Sequence, residues 1–284
     1  MSTLLAEPTE RFLADVPADQ WHAPADVLDL PAAKVPRHIA VIMDGNGRWA
    51  TRQGKPRHEG HAEGAAVVPD LVGECCRLRD RVAGPDFLTL YSFSLENWKR
   101  PAEEVAFLME MYVAFLREQR PRMMRENVRF NQNGRLDGLP QIVLDEVHRT
   151  LDETAKNDGL VVTLALNYGG RAELVDATRH LASEVAAGRM SSDDIDEAML
   201  ESFLTTGRRG GFTGIELPDV DLLVRTAGEL RVSNYLLWQI SYAEIFVTDA
   251  TWPDFSRSEL FDAVRAYARR TRRFGAVVDA SDES

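Results

Sequence analysis

The chain has 284 residues, of which 44% are hydrophobic, and its net charge is −12; this apolar content suffices for a substantial core. The acidic balance argues against a general nucleic-acid-binding protein, because such proteins usually present a basic surface. No apolar run approaches the roughly 20 residues that a membrane-spanning helix needs, and the first residues lack the regions of a signal peptide, so we expect a cytoplasmic protein with at most peripheral membrane contact.

The first third of the chain begins without clear order and then becomes regular. Residues 1–34 are polar and contain proline, and we interpret them as a flexible arm with room for one short helix. The apolar run at residues 38–43, closed by Asp-Gly-Asn-Gly, predicts a buried strand that ends in a turn. A helix is expected at residues 60–79, and its adjacent Cys75 and Cys76 are expected to stay reduced, because neighbouring cysteines rarely bridge each other.

Strands and helices then alternate to the end of the chain. Further strands are predicted at residues 87–93, 128–132, 160–169, 221–226 and 244–248, and further helices at residues 102–126, 141–156, 173–187 and 257–273. Pro121 is expected to kink or end the first of these helices, and the glycine-rich residues 207–214 are expected to form a mobile loop. This alternation indicates one α/β domain, over residues 35–276, with a largely parallel sheet and a disordered tail at residues 277–284.

Asp44 stands at the end of the first predicted strand, where ligands of parallel sheets bind. The backbone N–H groups of the following glycine-bearing turn and the start of a helix favour a phosphate or diphosphate. Arg48 and Arg57 can add charge-assisted hydrogen bonds, and an aspartate beside a diphosphate is a natural magnesium ligand. An ordinary turn is the alternative, because Asp, Asn and Gly favour turns in any case.

Two more polar segments follow predicted strands, at residues 92–101 and 225–234. In the second, Arg225, Arg231 and Ser233 form a compact anion-binding set. Each segment taken alone could also be a polar loop or a surface ion-pair cluster. Three strand ends that all carry arginine would nevertheless concentrate positive charge locally in an acidic protein, as the binding of two diphosphates requires.

The segments 38–50, 92–101, 167–171 and 225–255, in this order and spacing, closely resemble the cis-prenyltransferases, the undecaprenyl diphosphate synthase family. The resemblance implies a single α/β domain with a central six-stranded, mostly parallel sheet surrounded by helices, an apolar tunnel, and a homodimer. It implies magnesium-dependent condensation of isopentenyl diphosphate onto geranyl or farnesyl diphosphate. The expected product is a Z-polyprenyl diphosphate of C50–C55, for a cell-wall lipid carrier.

The resemblance also implies roles for single residues. Asp44 would be catalytic and would bind Mg²⁺ together with Glu244, and Asn97 would take part in removing a proton. The other substrate-binding residues would be Gly45, Asn46, Gly47, Arg48, Trp49, Arg57, His61, Ser94, Leu95, Glu96, Trp98, Arg100, Arg225, Arg231, Val232 and Ser233. Arg272 and Arg273 would reach towards the partner subunit's site.

A tunnel for the growing chain is expected along the helix at residues 102–116. Its wall would be formed by Val105, Leu108, Met111, Tyr112 and Phe115, and the candidates for its floor are Ser92, Phe107 and Met111. Each of these side chains could instead be ordinary core. The chain departs from the family pattern at Leu230, where many relatives carry a polar residue, and in the length of the glycine-rich loop.

Three other functions are compatible with parts of this pattern. A short-chain synthase of C15–C20 products would share the reaction but have a tunnel that is blocked early. A non-catalytic partner subunit is disfavoured because such subunits tend to lose the aspartate and the phosphate-binding turn. A phosphatase with an aspartate nucleophile is disfavoured because the second acid expected two positions after Asp44 is Asn46.

Overall fold

A six-stranded sheet organises the molecule in the computed structural model, which describes residues 25–207, 209, 211 and 213–270. The strands are β1 (His38–Ile42), β2 (Phe87–Ser94), β3 (Arg129–Asn133), β4 (Val161–Tyr168), β5 (Leu222–Arg225) and β6 (Glu244–Val247). Their order is β3-β4-β2-β1-β5-β6, and every pair is parallel. The predicted fold class is confirmed, with a sheet that is wholly parallel over the described strands.

Helices connect the strands and cover both faces of the sheet. They are α1 (Ala25–Leu28), α2 (Asn46–Arg52), α3 (Arg57–Val82), α4 (Ala102–Arg125), α5 (Gln141–Thr154), α6 (Gly170–Ala186), α7 (Glu197–Phe203) and α8 (Arg257–Ala268). Short 3₁₀-helices occur at Ala32–Lys34, Leu95–Lys99, Ser192–Asp194 and Trp252–Asp254. The helix predicted to run to residue 273 is shorter than expected, because α8 ends at Ala268.

Pro121 does not end α4, which continues to Arg125. The proline lies on the exposed face of the helix. Water can therefore bind the carbonyl group that the missing proline N–H leaves unpaired, so the helix tolerates the residue.

Alternate residues of β1 point to opposite faces of the sheet, as the twofold repeat of a strand requires. Ile39 and Val41 belong to the larger apolar core, which contains buried side chains of α3, α4, α5 and α8. Ala40 and Ile42 belong to a smaller core on the other face, with Tyr168 and Tyr235 among its members. Both faces are thus covered, as is usual for a parallel sheet.

The packed structure begins earlier than the boundary predicted at residue 35. Val27 in α1 is fully buried in the larger core, and Asp26 forms an ion pair of 2.6 Å with Arg265 of α8. Residues 1–24 and the predicted tail, together with Arg272 and Arg273, lie outside the described residues. Within the part of the chain that the structure describes, no helix is both long and apolar enough to cross a membrane.

Candidate active site

Asp44 follows β1 directly and lies at the carboxyl edge of the sheet. Its Oδ2 accepts a hydrogen bond of 2.8 Å from Nη2 of Arg225, and its Oδ1 accepts one of 2.7 Å from the N–H of Gly45. Burial alone would raise the pKa of Asp44, but the hydrogen bond and charge of Arg225, with smaller contributions from Gly45 and Arg48, lower it below its usual value. The carboxylate is therefore ionised near neutral pH.

Glycines shape the turn that follows Asp44. Gly45 has φ of +101°, and a Cβ there would lie 2.8 Å from the Cβ atoms of Ala227 and Thr251, so a side chain would be both strained and obstructed. A Cβ on Gly60 of α3 would lie 2.1 Å from the carbonyl oxygen of Asn46. These glycines let α2 begin at Asn46 and let α3 pack closely against it.

The arginines near this turn differ in their partners. Nη1 of Arg48 donates to the Ala227 carbonyl at 2.9 Å and lies 3.1 Å from Oε1 of Glu229. The Arg57 guanidinium lies against Gly47, where a Cβ would come within 3.1 Å of it. Among the described residues no carboxylate pairs with Arg57, which leaves its charge available to an anion.

The second predicted segment forms the 3₁₀-helix Leu95–Lys99 after β2. Oδ1 of Asn97 accepts the N–H of Ser94 at 3.0 Å, which closes a capping box at the start of this helix. The Trp98 indole N–H donates to Oδ1 of Asn167 at 2.7 Å, and its ring packs edge-on against Phe93. Asn97 and Trp98 are therefore each held by a hydrogen bond within the protein.

His61 of α3 stands beside this 3₁₀-helix, and its Nδ1 lies 3.4 Å from Nδ2 of Asn46. Burial, followed by the positive charge of Arg100, lowers the pKa of His61 to about 4. The ring is consequently neutral near pH 7, and it can contribute hydrogen bonds but no charge. Arg100 itself pairs with Glu104 at 2.8 Å.

The third segment follows β5 and surrounds a buried arginine. Nη1 of Arg225 donates to Oγ of Ser233 at 2.7 Å and also to the carbonyl of Arg231. Its Nε is buried without a hydrogen-bond partner among the described residues. Arg231 is exposed and pairs with Glu229.

These segments surround one cavity of about 530 Å³. Of the predicted site residues, the following line it: Asp44, Asn46, His61, Ser94, Glu96, Asn97, Arg100, Arg225 and Ser233. Its apolar part is formed by side chains of α3 and α4, among them Val68, Leu108, Met111 and Phe115. A cavity with charged groups at one end and apolar walls at the other suits a ligand with an anionic head and a hydrocarbon tail.

Gly47, Arg48 and Arg57 line a neighbouring pocket of about 410 Å³. The predicted site residues Gly45, Leu95, Trp98, Arg231 and Val232 line neither of these two pockets. Trp49 is a packing residue, since it is buried and its indole N–H donates to Asp254 at 2.9 Å.

Two of the predictions for the tunnel are wrong. Phe107 turns away from the cavity, with its ring 5.3 Å from that of His58. Val105 lies on the other face of α4, where it lines a separate apolar groove. Ser92, Met111 and Tyr112 do line the cavity, as predicted.

Glu244 is not brought to Asp44 within one chain, and its role as a magnesium ligand stays a prediction. The register of the sheet pairs Glu244 with Leu222 and Leu222 with Ile39, which places Glu244 at the edge where the strands begin. Its carboxylate lies 3.7 Å from the guanidinium of Arg270. The length of β6 therefore separates it from the cavity.

Tyr91 and Asn234 are among the residues that line the cavity and that sequence reasoning missed. Tyr91 lies within the apolar run of β2, and its ring stacks on Tyr235 at 4.3 Å. Asn234 has a left-handed backbone with φ of 59°, and its Nδ2 donates to Glu96 at 2.9 Å. The only available signal was the Ser-Asn pair that closes the third segment.

The protein groups at the cavity fit a magnesium site that has few protein ligands. Mg²⁺ is commonly bound by one or two carboxylates together with phosphate oxygens and water. Asp44 is ionised and partly exposed, which suits that role. Among the described residues no group of three or more His, Cys, Asp or Glu side chains could hold a metal ion, so a diphosphate would have to supply much of the coordination.

Comparisons with known proteins agree with this geometry. The family model for undecaprenyl diphosphate synthase matches residues 42–275. The chain is 43% identical over 248 residues to an isoprenyl transferase of Halalkalibacterium halodurans, which covers 87% of this chain and 92% of the relative. It is 44% identical over 247 residues to isoprenyl transferase 2 of Corynebacterium efficiens, covering 87% and 96%.

A solved structure is also similar over most of its length. It is lavandulyl diphosphate synthase from Lavandula x intermedia in complex with dimethylallyl diphosphate, with a TM-score of 0.79 and 34% identity. The alignment covers 86% of this chain and 99% of that one.

Proposed function

The chain belongs to the undecaprenyl diphosphate synthase family of isoprenyl transferases, and from that premise we propose that it condenses isopentenyl diphosphate repeatedly with an allylic diphosphate. The main support for this proposal is that one cavity contains both Asp44 and Arg225 at one end and apolar side chains of α3 and α4 at the other. The starter would be geranyl or farnesyl diphosphate, and the product a Z-polyprenyl diphosphate.

The reaction needs the allylic C–O bond to break while negative charge develops on the leaving diphosphate. Arg48, Arg57 and the backbone N–H groups that begin α2 would stabilise that charge, and such fixed donors commonly supply the largest part of catalysis. Asp44 would hold Mg²⁺, which when bound neutralises further charge on the diphosphate. Arg225 and Ser233, which line the cavity, would orient isopentenyl diphosphate.

The double bond of isopentenyl diphosphate then forms the new C–C bond, and a proton leaves the same molecule. Oδ1 of Asn97 already accepts the N–H of Ser94, and a carboxamide is in any case a poor base. We therefore assign Asn97 the task of orienting a ligand through its Nδ2. The proton would pass to an oxygen of the departing diphosphate or to water.

The proposed product is a long chain of C50–C55, used as a lipid carrier in cell-wall synthesis. A cavity of about 530 Å³ has the size that suits a drug-sized ligand, so a chain of this length needs further space. Phe115 also lines a second, small cavity between α3 and α4, beside Val72 and Met123. We propose that the growing chain extends past Phe115 into this second cavity.

We propose further that two copies associate through β6. This strand is an edge of the sheet, and Ile245 on it is 46% exposed while the nearby Tyr242 is 66% exposed. Apolar side chains on an open edge are usually covered by a partner. Location in the cytoplasm with at most peripheral membrane contact stays a prediction from the sequence.

The test is an incubation with Mg²⁺, labelled isopentenyl diphosphate and each allylic starter, followed by chromatography of the products. Chains of C50–C55 would support the proposed role, whereas C15–C20 products would identify a short-chain enzyme. No incorporation with any starter, from folded protein, would overturn the proposed activity. A parallel reaction without Mg²⁺ and with EDTA tests the proposed metal dependence.

A further inference from the structure

Asn234 joins three segments that follow three different strands. Its Nδ2 donates to Oε1 of Glu96, after β2, at 2.9 Å, and its Oδ1 accepts the backbone N–H of Arg171, after β4, at 2.8 Å. Its backbone carbonyl accepts the N–H of Gly170 at 2.8 Å. Asn234 itself belongs to the connection after β5, one residue beyond the predicted ligand Ser233. Both hydrogen-bonding atoms of its side chain are therefore engaged.

The contact between Glu96 and Asn234 crosses the centre of the proposed site. In the sheet, β1 lies between β2 and β5, so a bond between the loops that follow β2 and β5 spans the end of β1, where Asp44 begins the phosphate-binding turn. All three residues line the same cavity. The bond thus connects the loop after β5, which we assign to isopentenyl diphosphate, with the loop after β2, whose Asn97 and Arg100 line the same cavity and which we assign here to the allylic diphosphate.

Asparagine suits this position for two physical reasons. Its side chain offers a donor and an acceptor together, whereas an ionised aspartate offers acceptors alone. Its φ of 59° lies in the left-handed region, which asparagine adopts more readily than most residues. A Cβ on Gly169 would lie 2.9 Å from Nδ2 of Asn234, so that glycine leaves room for the contact.

A continuous series of contacts leads from this bond to Asp44. Ser233, the neighbour of Asn234, accepts a hydrogen bond of 2.7 Å from Arg225. Arg225 in turn donates to Asp44 at 2.8 Å. A displacement of Glu96 can therefore be transmitted to the groups that hold the second diphosphate.

We propose that Asn234 is a positioning residue that couples the two substrate-binding loops, so that ordering of one loop by its ligand favours the ordered form of the other. This inference rests on the proposed function, since it assigns a diphosphate substrate to each loop. Coupling between two binding sites is reciprocal. A bound allylic diphosphate must then raise the affinity for isopentenyl diphosphate, and the reverse must hold by the same factor.

The test first removes the donor of the hydrogen bond between Asn234 and Glu96 and then restores the bond with donor and acceptor reversed. Asn234→Asp removes the donor and places a second carboxylate against Glu96, whereas the double variant N234D/E96Q restores a hydrogen bond in the opposite direction. The Kd of isopentenyl diphosphate is measured by calorimetry with and without an unreactive thio analogue of farnesyl diphosphate. We expect the analogue to tighten binding about 5-fold or more in the wild type, to have almost no effect in Asn234→Asp, and to regain most of its effect in the double variant.

Asn127 provides a matched control at a distance from the site. It also has a left-handed backbone, with φ of 54°, and it lies between α4 and β3. Its Nδ2 donates to Oδ1 of Asp158 at 2.7 Å, and its Oδ1 accepts the N–H of Asp158 at 3.1 Å. Asn127→Asp makes the same chemical change, so it should lower the melting temperature comparably while leaving the coupling factor unchanged.

The inference is overturned if the wild type binds both ligands without coupling, if Asn234→Asp keeps the wild-type factor, or if Asn127→Asp reduces it equally. Failure of the double variant to regain coupling would also overturn it. Should Asn234→Asp not fold, Glu96→Ala removes the same bond from the other side and must abolish the coupling. A wild type that neither binds nor condenses the substrates would instead overturn the proposed function.

Discussion

Asp44 is held by Arg225 at 2.8 Å and lies 3.4 Å from Arg48, and it is the carboxylate we assign to Mg²⁺. Asp44→Asn keeps the shape of the side chain but removes its charge. We expect kcat to fall about 100-fold or more, the loss typical when one electrostatic group of a preorganised site is removed. Steady-state incorporation of labelled isopentenyl diphosphate measures this effect.

The control for this substitution is Asp145→Asn, the same change at an exposed position on α5 where the carboxylate accepts a hydrogen bond from Gln141. It should retain the wild-type kcat. If Asp44→Asn stays within a few-fold of the wild type, Asp44 cannot be the central carboxylate of the reaction.

The site residues found from the sequence are those that stand where an apolar run gives way to a polar or glycine-bearing segment, because that change marks the end of a strand. Asp44, Asn97 and Arg225 each lie at or just after the end of a strand, and a parallel sheet brings such ends to one edge. Glu244 lies apart from them within one chain because it begins a strand, and spacing alone does not reveal which end of a strand a residue occupies. Asn234 was missed because its contacts lie on segments distant in sequence.

At the scale of elements, α3 and α4 form the apolar part of the cavity, and Phe115 lines both this cavity and the second, smaller one. Phe115→Ala should join the two spaces and lengthen the products by at least one isoprene unit.

Ser92→Leu should shorten the products, because Ser92 lines the cavity opposite α4. Chromatography of products formed from farnesyl diphosphate measures both effects.

Phe107→Leu is the matched control on the same helix, since Phe107 contacts His58 outside the cavity. Its product distribution should equal that of the wild type. An unchanged distribution in both Phe115→Ala and Ser92→Leu would show that the chain does not grow between α3 and α4.

The elements themselves were largely predictable, because apolar runs and helical spacing are local signals. β2 was expected at residues 87–93 and is observed at Phe87–Ser94. The start of α6 at Gly170 was missed by three residues, since Gly169 and Gly170 give no helical signal. That helix begins where it does because Asn234, distant in sequence, accepts the N–H groups of its first two residues.

For the whole molecule, the open edge at β6 predicts how copies associate. Ile245→Glu places a charge on the edge strand, where Ile245 is 46% exposed, and should convert a dimer to monomers. Light scattering after size-exclusion chromatography measures the mass. Ile142→Glu, at an isoleucine of α5 that is 53% exposed, should leave the mass unchanged. A monomeric wild type, or a dimer that survives Ile245→Glu, would contradict the proposed interface.

Acid should destabilise the fold through two histidines. His38 is fully buried, with Nδ1–H donating to the Pro218 carbonyl and Nε2 accepting from Thr89, both at 2.8 Å. Burial lowers its pKa from 6.5 to about 4, against weaker opposing effects from that carbonyl and from Asp221. His61 is shifted in the same direction. Because the unfolded chain binds a proton at higher pH, their stabilising effect is complete above about pH 6.5 and is lost as pH falls towards 4.

Between pH 7 and pH 5, His38 alone should reduce the free energy of unfolding by about 2 kcal/mol, given a shift of this size. His38→Gln keeps a donor and an acceptor but does not titrate, so the decrease over this interval should be smaller by that amount. Urea unfolding at pH 7, 6 and 5 measures the difference. His180→Gln, at an exposed position on α6, should leave the pH dependence as in the wild type. If His38→Gln shows the full wild-type decrease, the buried imidazole is not a source of acid sensitivity, and the loss must arise at His61 or at the ion pairs of the surface.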